Sequence, residues 1–242
     1  MRTPSRVEND IRVVLAAQPG PGGLPATVEA TGQRNFDSED LVAFEAGYRT
    51  NLAANLSLDV TGFYNIYDNL RSFEPQPIAF SASPAPRFNL PILAANRLNA
   101  KTWGTEAAAE WQPMDGWRMR GSYAFLHMDA QADNGSGDTT SAALANRSDP
   151  QHQFGLQSSA DLGQDVELDL TLRHVSGLAA LEIDGYTTLD ARIGWRVMDG
   201  VELSLVGQNL AGGPRLEFRS EFLASNPTRI ERSVYAKATV QF

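Results

Sequence analysis

The last ten residues, Ser233 to Phe242, constrain the fold more than any other stretch of this chain. Counting back from the end, Phe242, Val240, Ala238, Ala236 and Val234 are apolar, while Gln241, Thr239, Lys237, Tyr235 and Ser233 are polar or amphipathic. Period two over such a run specifies a β-strand with one greasy and one wet face. Soluble chains usually end in polar residues that fray. A terminal strand that closes on an aromatic suggests instead the last strand of a transmembrane barrel, which must pair to close its sheet. Val234, Ala236, Ala238, Val240 and Phe242 are accordingly read as a barrel-assembly signal, with that set facing lipid and Lys237 and Gln241 facing the lumen.

The same alternation recurs along the chain. Val42, Phe44, Ala46 and Tyr48 form one apolar set, and Leu56, Leu58, Val60, Tyr64 and Ile66 the next. Trp103, Ala107, Ala109 and Trp111 follow, then Trp117, Met119, Tyr123 and Phe125, then Phe154, Leu156, Ala160 and Leu162. Val166, Leu168, Leu170 and Leu172 precede the clearest case, where Leu189, Ala191, Ile193, Trp195 and Val197 oppose Thr188, Asp190, Arg192 and Arg196. With Val201, Leu203 and Leu205 and the terminal run, this makes about nine strands, long enough for the ~9–11 residues of a tilted membrane strand. Short links fall at 51–55, 114–116, 163–165 and 198–200, two of them Asp-Gly pairs that signal hairpins. Long links rich in Pro, Gly, Ser and Asn fall near 71–95, 129–150, 176–185 and 211–229, and all 13 prolines lie outside the strands so drawn. Short turns at one end and long loops at the other are the asymmetry of an outer-membrane barrel. Trp111, Trp117 and Trp195, each near a short turn on the apolar face, fit an interfacial aromatic ring there.

Composition narrows the function classes. A net charge of −9 argues against bulk attraction to nucleic acid. With no cysteine, disulfides and thiolate metal sites are both out. Mean hydropathy is −0.29, which barrel strands produce because alternation hides their apolar face. No signal-peptide core follows Met1. Two carboxylate pairs, Glu106 with Glu110 and Glu167 with Asp169, each share a strand face, where a watery lumen accommodates them without catalysis. The three histidines, His127, His152 and His174, lack metal-ligand spacing, although the first two flank one long loop. Neither a phosphate-binding loop nor a nucleophile elbow is present, so no enzyme, metal site or cofactor is expected.

Several fragments resemble the TonB-dependent outer-membrane receptors, in the C-terminal part of their barrel. They are Asn35 to Leu41 leading into Phe44 to Tyr48, the Phe63 to Leu70 run, Thr102 to Glu106, Gly207 to Leu210, and the closing Glu231 to Phe242. The resemblance implies an all-β fold: an antiparallel transmembrane β-barrel segment, about nine strands of a barrel of about 22. Residues 1–35 would be the end of a barrel strand plus an extracellular loop, and 36–242 the C-terminal barrel segment. The family's plug domain and TonB box are not found in this sequence, so the chain is expected to be a truncated receptor that does not work alone. The complete form would sit in the outer membrane of a Gram-negative bacterium and import a scarce ligand, foremost a ferric siderophore or other iron complex. Its partners would be outer-membrane lipid, the barrel-assembly machinery, the missing plug and N-terminal strands, the TonB complex and the ferric chelate. Loop candidates for ligand contact are Phe80, Arg215, Phe218, Arg219 and Phe222, while Glu45, Glu106 and Arg192 would face the lumen and the plug. Two other readings remain open: a small structural or adhesive outer-membrane barrel without transport, and a soluble β-sandwich binding module.

Deleting Phe242 from the complete receptor is expected to lower its level in the outer membrane, measured by immunoblot of isolated membranes. An unchanged level would count against an assembly role for the terminal aromatic.

Overall fold

The computed structural model describes residues 1–219 and 226–241. Phe222 and Phe242 lie outside the described residues. The chain forms one 12-stranded sheet. Its backbone is a meander of antiparallel neighbours: β3 (Asp40–Ala53), β4 (Leu56–Pro75), β6 (Arg87–Met114), β7 (Trp117–Ala132), β8 (His152–Asp161), β9 (Val166–Val175), β10 (Tyr186–Met198), β11 (Val201–Gln208) and β12 (Ser233–Val240). These are the strands that alternation marks in the sequence. The other three, β1 (Arg12–Pro19), β2 (Pro25–Thr31) and β5 (Ala79–Ser81), all stand at the long-loop end.

Pairing register fixes which side chains share a face, because residues directly opposite in an antiparallel ladder point the same way. One row runs Leu56, Trp111, Met119, Ser158, Leu170, Ala191, Gly207 and Val234 across eight strands. The next runs Trp117, Ala160, Leu168, Ile193, Leu205 and Ala236. Below it lie Val166, Trp195, Leu203 and Ala238. No charged residue enters these rows. On the opposite face Arg49 opposes Asp59, Glu110 opposes Arg120, Asp169 opposes Arg192, and Arg196 opposes Glu202.

The apolar face is uncovered. Trp195 is 51% exposed, Leu205 52% and Val234 62%. An open apolar surface spanning nine strands far exceeds the few hundred Å² that soluble monomers present, and it matches a lipid-facing wall. A soluble sandwich would need a second sheet on this face; among the described residues there is one sheet. The small apolar core that is buried from water lies at the long-loop end, where Leu98, Ala100 and Ala130 pack with Tyr67, Leu70, Met128, Ala142 and Ala145.

The turns follow the sequence closely. In the two Asp-Gly hairpins Gly116 and Gly200 adopt φ of 75° and 77°, where a side chain would be strained, and each turn is preceded by a register shift. At Gly200 a Cβ would also stand 2.8 Å from the Gln241 carbonyl oxygen.

The long-loop end departs from the sequence reading. Much of 71–95 is strand, because β4 continues to Pro75 and β6 begins at Arg87. Four prolines fall within strand limits at this end, Pro19 and Pro75 as last residues, Pro25 as a first and Pro91 inside β6, while a fifth, Pro113, sits in the register shift of β6 at the short-turn end. Pro91 has no N–H to give, but its carbonyl accepts from the Gln76 amide at 2.8 Å. Here the strands rise beyond the apolar band, so period two is no longer imposed and the pattern that marks the other strands is lost. Within 1–35, β1 and β2 form a hairpin whose β2 runs parallel to Phe88–Leu93 of β6, a pairing with no local sequence signal.

Leu170→Arg, on the apolar face, is expected to cost about 2–4 kcal/mol in urea unfolding from lipid vesicles. Its neighbour Thr171→Arg, on the polar face, should stay within about 0.5 kcal/mol. Equal costs at the two positions would contradict the face assignment.

Candidate functional site

Four connections and the N-terminal segment converge at the long-loop end, and buried carboxylates tie them together. Arg2 bridges to Glu39 at the start of β3, and Ser5 caps α1 (Arg6–Asp10) in a capping box with Glu8. The Glu8 side chain is 1% exposed and accepts from Arg2 at 2.9 Å, Arg71 at 3.2 Å and the Ser5 amide at 2.8 Å. Burial alone would raise its pKa; the hydrogen bonds from Ser5 and Arg2 overcome this and hold it at about 2. Glu74 at the tip of β4 accepts from Ser72 at 2.9 Å, Ser136 at 2.6 Å and the Gly137 amide at 2.7 Å. Asp138 accepts from the Phe73 amide at 2.7 Å and from the amides of Thr140 and Ser141, both at 2.9 Å, just before α2 (Ser141–Ala145). Both carboxyls are held below their usual range, with burial opposing and hydrogen bonds prevailing. The N-terminal segment and the 133–151 connection are thus anchored to the β4–β6 hairpin by charge-assisted hydrogen bonds.

At the same long-loop end, two cations meet one aromatic ring. The guanidinium carbons of Arg173 on β9 and Arg215 after β11 stand 5.4 and 4.8 Å from the ring centroid of Tyr186 on β10. Arg173 also donates to the Tyr186 hydroxyl at 2.9 Å. Glu217 accepts from Arg173 at 3.1 Å and from Arg215 at 2.8 and 2.6 Å. Arg215 donates in addition to Asn209, whose amide donates to Asp190 at 2.7 Å. Arg219 pairs with Glu182 of the β9–β10 connection at 2.5 Å.

The sequence candidates distribute as follows. Arg215 stacks on Tyr186 rather than on a neighbouring phenylalanine, and Phe218 is 70% exposed. Phe80 on β5 meets Phe88 edge-on at 5.6 Å. Glu45 and Glu106 lie exposed on the polar face and make no ion pair among the described residues. Arg192 is a hub that binds Glu167 at 3.2 Å, Asp169 at 2.8 Å and Glu202. The Glu167 and Asp169 pair singled out in the sequence is therefore bound to the arginine of the next strand.

The histidines all lie on the apolar face near the loops. His127 stacks on Trp103 at 4.2 Å, His152 contacts the Tyr123 hydroxyl at 2.9 Å and the Phe125 ring at 5.2 Å, and His174 bonds Thr187 at 2.9 Å. With Phe154 they form an amphipathic girdle opposite the tryptophans of the short-turn end, where the Trp117 indole donates to Ser158 at 2.9 Å. Sequence reasoning saw only the short-turn ring. The second girdle was visible in the same alternating sets, as the aromatics and histidines nearest each long loop.

The model of the TonB-dependent receptor-like β-barrel matches residues 9–210. This chain belongs to the TonB-dependent receptor β-barrel family. Members are outer-membrane receptors and transporters of Gram-negative bacteria, not enzymes. Solved structures of the family share its fold. The ferric-catecholate import receptor Fiu of E. coli K12 aligns over 87% of this chain and 29% of its own, at 15% identity and TM-score 0.62. The copper transporter OprC aligns over 100% of this chain and 36% of its own, at 16% identity and TM-score 0.61. The ferric yersiniabactin uptake receptor FyuA of Yersinia pestis aligns over 93% and 33%, at 16% identity and TM-score 0.61. This TonB-dependent receptor barrel chain spans about a third of the length of these structures. No curated protein sequence matches it.

The lowered Glu8 pKa gives stability that is complete above the ordinary carboxyl value and lost as pH falls from about 4.5 to about 2. An acid-active protease is therefore expected to cut the β1–β2 hairpin progressively across that window. Glu8→Gln should weaken the clamp by about 2 kcal/mol and make the hairpin cleavable at neutral pH. Equal resistance of variant and parent would show that the clamp does not hold the segment.

Proposed function

We propose that the chain is the C-terminal barrel portion of a TonB-dependent transporter that sits in the outer membrane and takes up a scarce ligand, foremost a ferric siderophore or another anionic iron complex. The observation that carries this reading is the cluster of Arg173, Arg215 and Tyr186 on the polar side of the sheet at the long-loop end. Guanidinium groups backed by an aromatic ring suit planar, anionic chelating groups, which they meet through paired hydrogen bonds. Similar structures include receptors for ferric catecholate and ferric yersiniabactin, which favours iron over other cargo. Phe80, Phe218, Arg219 and Phe222 are further candidates for ligand contact.

The rest of the receptor supplies what this segment lacks. The ladder ends at β3 on one side and β12 on the other, and unpaired edges are not tolerated in hydrocarbon. Further strands of the same receptor would pair with them, and residues 1–35 would join the preceding strand to β3. A plug domain would meet the polar wall, with Glu45 and Glu106 offering it carboxylates that make no ion pair among the described residues and Arg192 a braced cation. The TonB complex would act through that plug, and the barrel-assembly machinery would read the Val234 to Phe242 strand.

Deleting the gene should reduce uptake of radiolabelled iron from at least one ferric chelate under iron restriction, with complementation restoring it. Arg173→Gln with Arg215→Gln in the restored receptor should lower apparent affinity for that chelate by about tenfold or more. Unchanged uptake of every ferric chelate in the deletion strain would overturn the iron reading.

A further inference from the structure

Glu217 is placed where an anionic ligand would be. One of its oxygens, Oε1, accepts from Arg173 Nη2 at 3.1 Å, Arg215 Nε at 2.8 Å and Arg215 Nη2 at 2.6 Å. Both guanidinium groups are also braced from behind. Arg173 donates to the Tyr186 hydroxyl, and Arg215 to Asn209, which is itself held by Asp190. Taking the Glu217 carboxylate away would leave two oriented cations, stacked on one ring, facing the same gap. That is an anion site with its own chain as occupant.

Among the described residues, few other contacts hold the segment that carries Glu217. After Leu210, whose amide donates to Leu189, the chain up to Arg219 lies outside the strands. Its backbone makes an isolated bridge between Arg215 and Ile230, at 3.2 and 2.9 Å. Beyond Arg215, side-chain pairs fasten it to the barrel wall: Glu217 to Arg173 of β9, and Arg219 to Glu182 of the β9–β10 connection. Anion binding and the Glu217 attachment therefore use the same guanidinium groups, while the Arg219–Glu182 pair holds the far end of the segment separately.

We propose that Glu217 is a latch: its carboxylate occupies a two-arginine anion site and holds residues 216–219 against the β9–β10 wall, and an anionic chelate opens the latch by taking its place. The inference rests on the reading that this mouth receives an anionic iron complex. Displacement leaves Arg215 anchored through Ile230 and Asn209, so the cations stay in position while residues 216–218 loosen between Arg215 and the Arg219–Glu182 pair. Binding and release are linked reciprocally, and a chain without the latch binds the anion more tightly by the free energy the latch contributes.

The test uses the complete receptor in detergent with a ferric tris-catecholate complex as probe, reading probe affinity and backbone hydrogen exchange at 216–219. In the parent protein, saturating probe should speed exchange at these amides. Glu217→Gln should exchange fast without probe, show no further increase with it, and bind the probe about tenfold more tightly. Arg173→Gln with Arg215→Gln should exchange fast and bind at least tenfold more weakly. If Glu217→Gln binds no more tightly while the arginine variants lose binding, the latch is overturned and the ligand reading stands. If the arginine variants bind as well as the parent, or neither the parent nor any variant binds the probe, both fall. Slower exchange in the parent on adding probe would also overturn the latch.

Discussion

In hydrocarbon no water satisfies a backbone amide or carbonyl, and the strand ladder of this chain and its two-faced side-chain pattern answer that constraint. A sheet meets it by pairing each strand with two neighbours, so the nine long strands form a continuous antiparallel ladder from β3 to β12. The ladder then sets the side-chain pattern. Because opposite residues share a face, one apolar position per pair propagates across the whole sheet, from Leu56 through Trp111 and Leu170 to Val234. The polar face collects the charges this excludes, and they neutralise one another across strands, as Arg192 does with carboxylates from β9 and β11.

The same constraint places function at the ends. Tight turns satisfy the short-turn end with few residues, leaving the opposite connections free to grow. Outside the apolar band the chain meets water again, and its organisation changes in kind. Buried carboxylates such as Glu8, Glu74 and Asp138 replace the ladder as the main fastening, each collecting hydrogen bonds from separate segments. The Arg173, Arg215 and Tyr186 cluster belongs to this region, where a rigid wall supplies two of the three side chains and a loop the third.

What could be read from the sequence tracks that division. Inside the band, period two and the Asp-Gly turns made β3, β4 and the strands from β6 to β12 legible, along with the side on which Arg192 stands. At the loop end nothing enforces a period. The upper halves of β4 and β6 therefore read as loop, and the β1–β2 hairpin went unseen because its docking on β6 is parallel and about 60 residues removed in sequence. The candidate site was half legible. Arg215 and Arg219 stood out as cations near aromatics in a long connection, but the aromatic that Arg215 meets is Tyr186, which strand register sets beside Arg173, and Glu217 reaches them through the course of a loop that no local pattern marks.

The central claim is that this sheet separates lipid from water, one residue to each side in turn. This chain contains no cysteine, so in a receptor freed of cysteines elsewhere single cysteines can be placed from Thr188 to Val197 along β10 in the membrane-embedded protein. An environment-sensitive thiol label attached at each position reads local polarity. The account predicts blue-shifted emission at 189, 191, 193, 195 and 197, and water-like emission at 188, 190, 192, 194 and 196 where labelling succeeds. Emission that does not alternate, or an equally wet environment at Ile193 and Arg192, would contradict it.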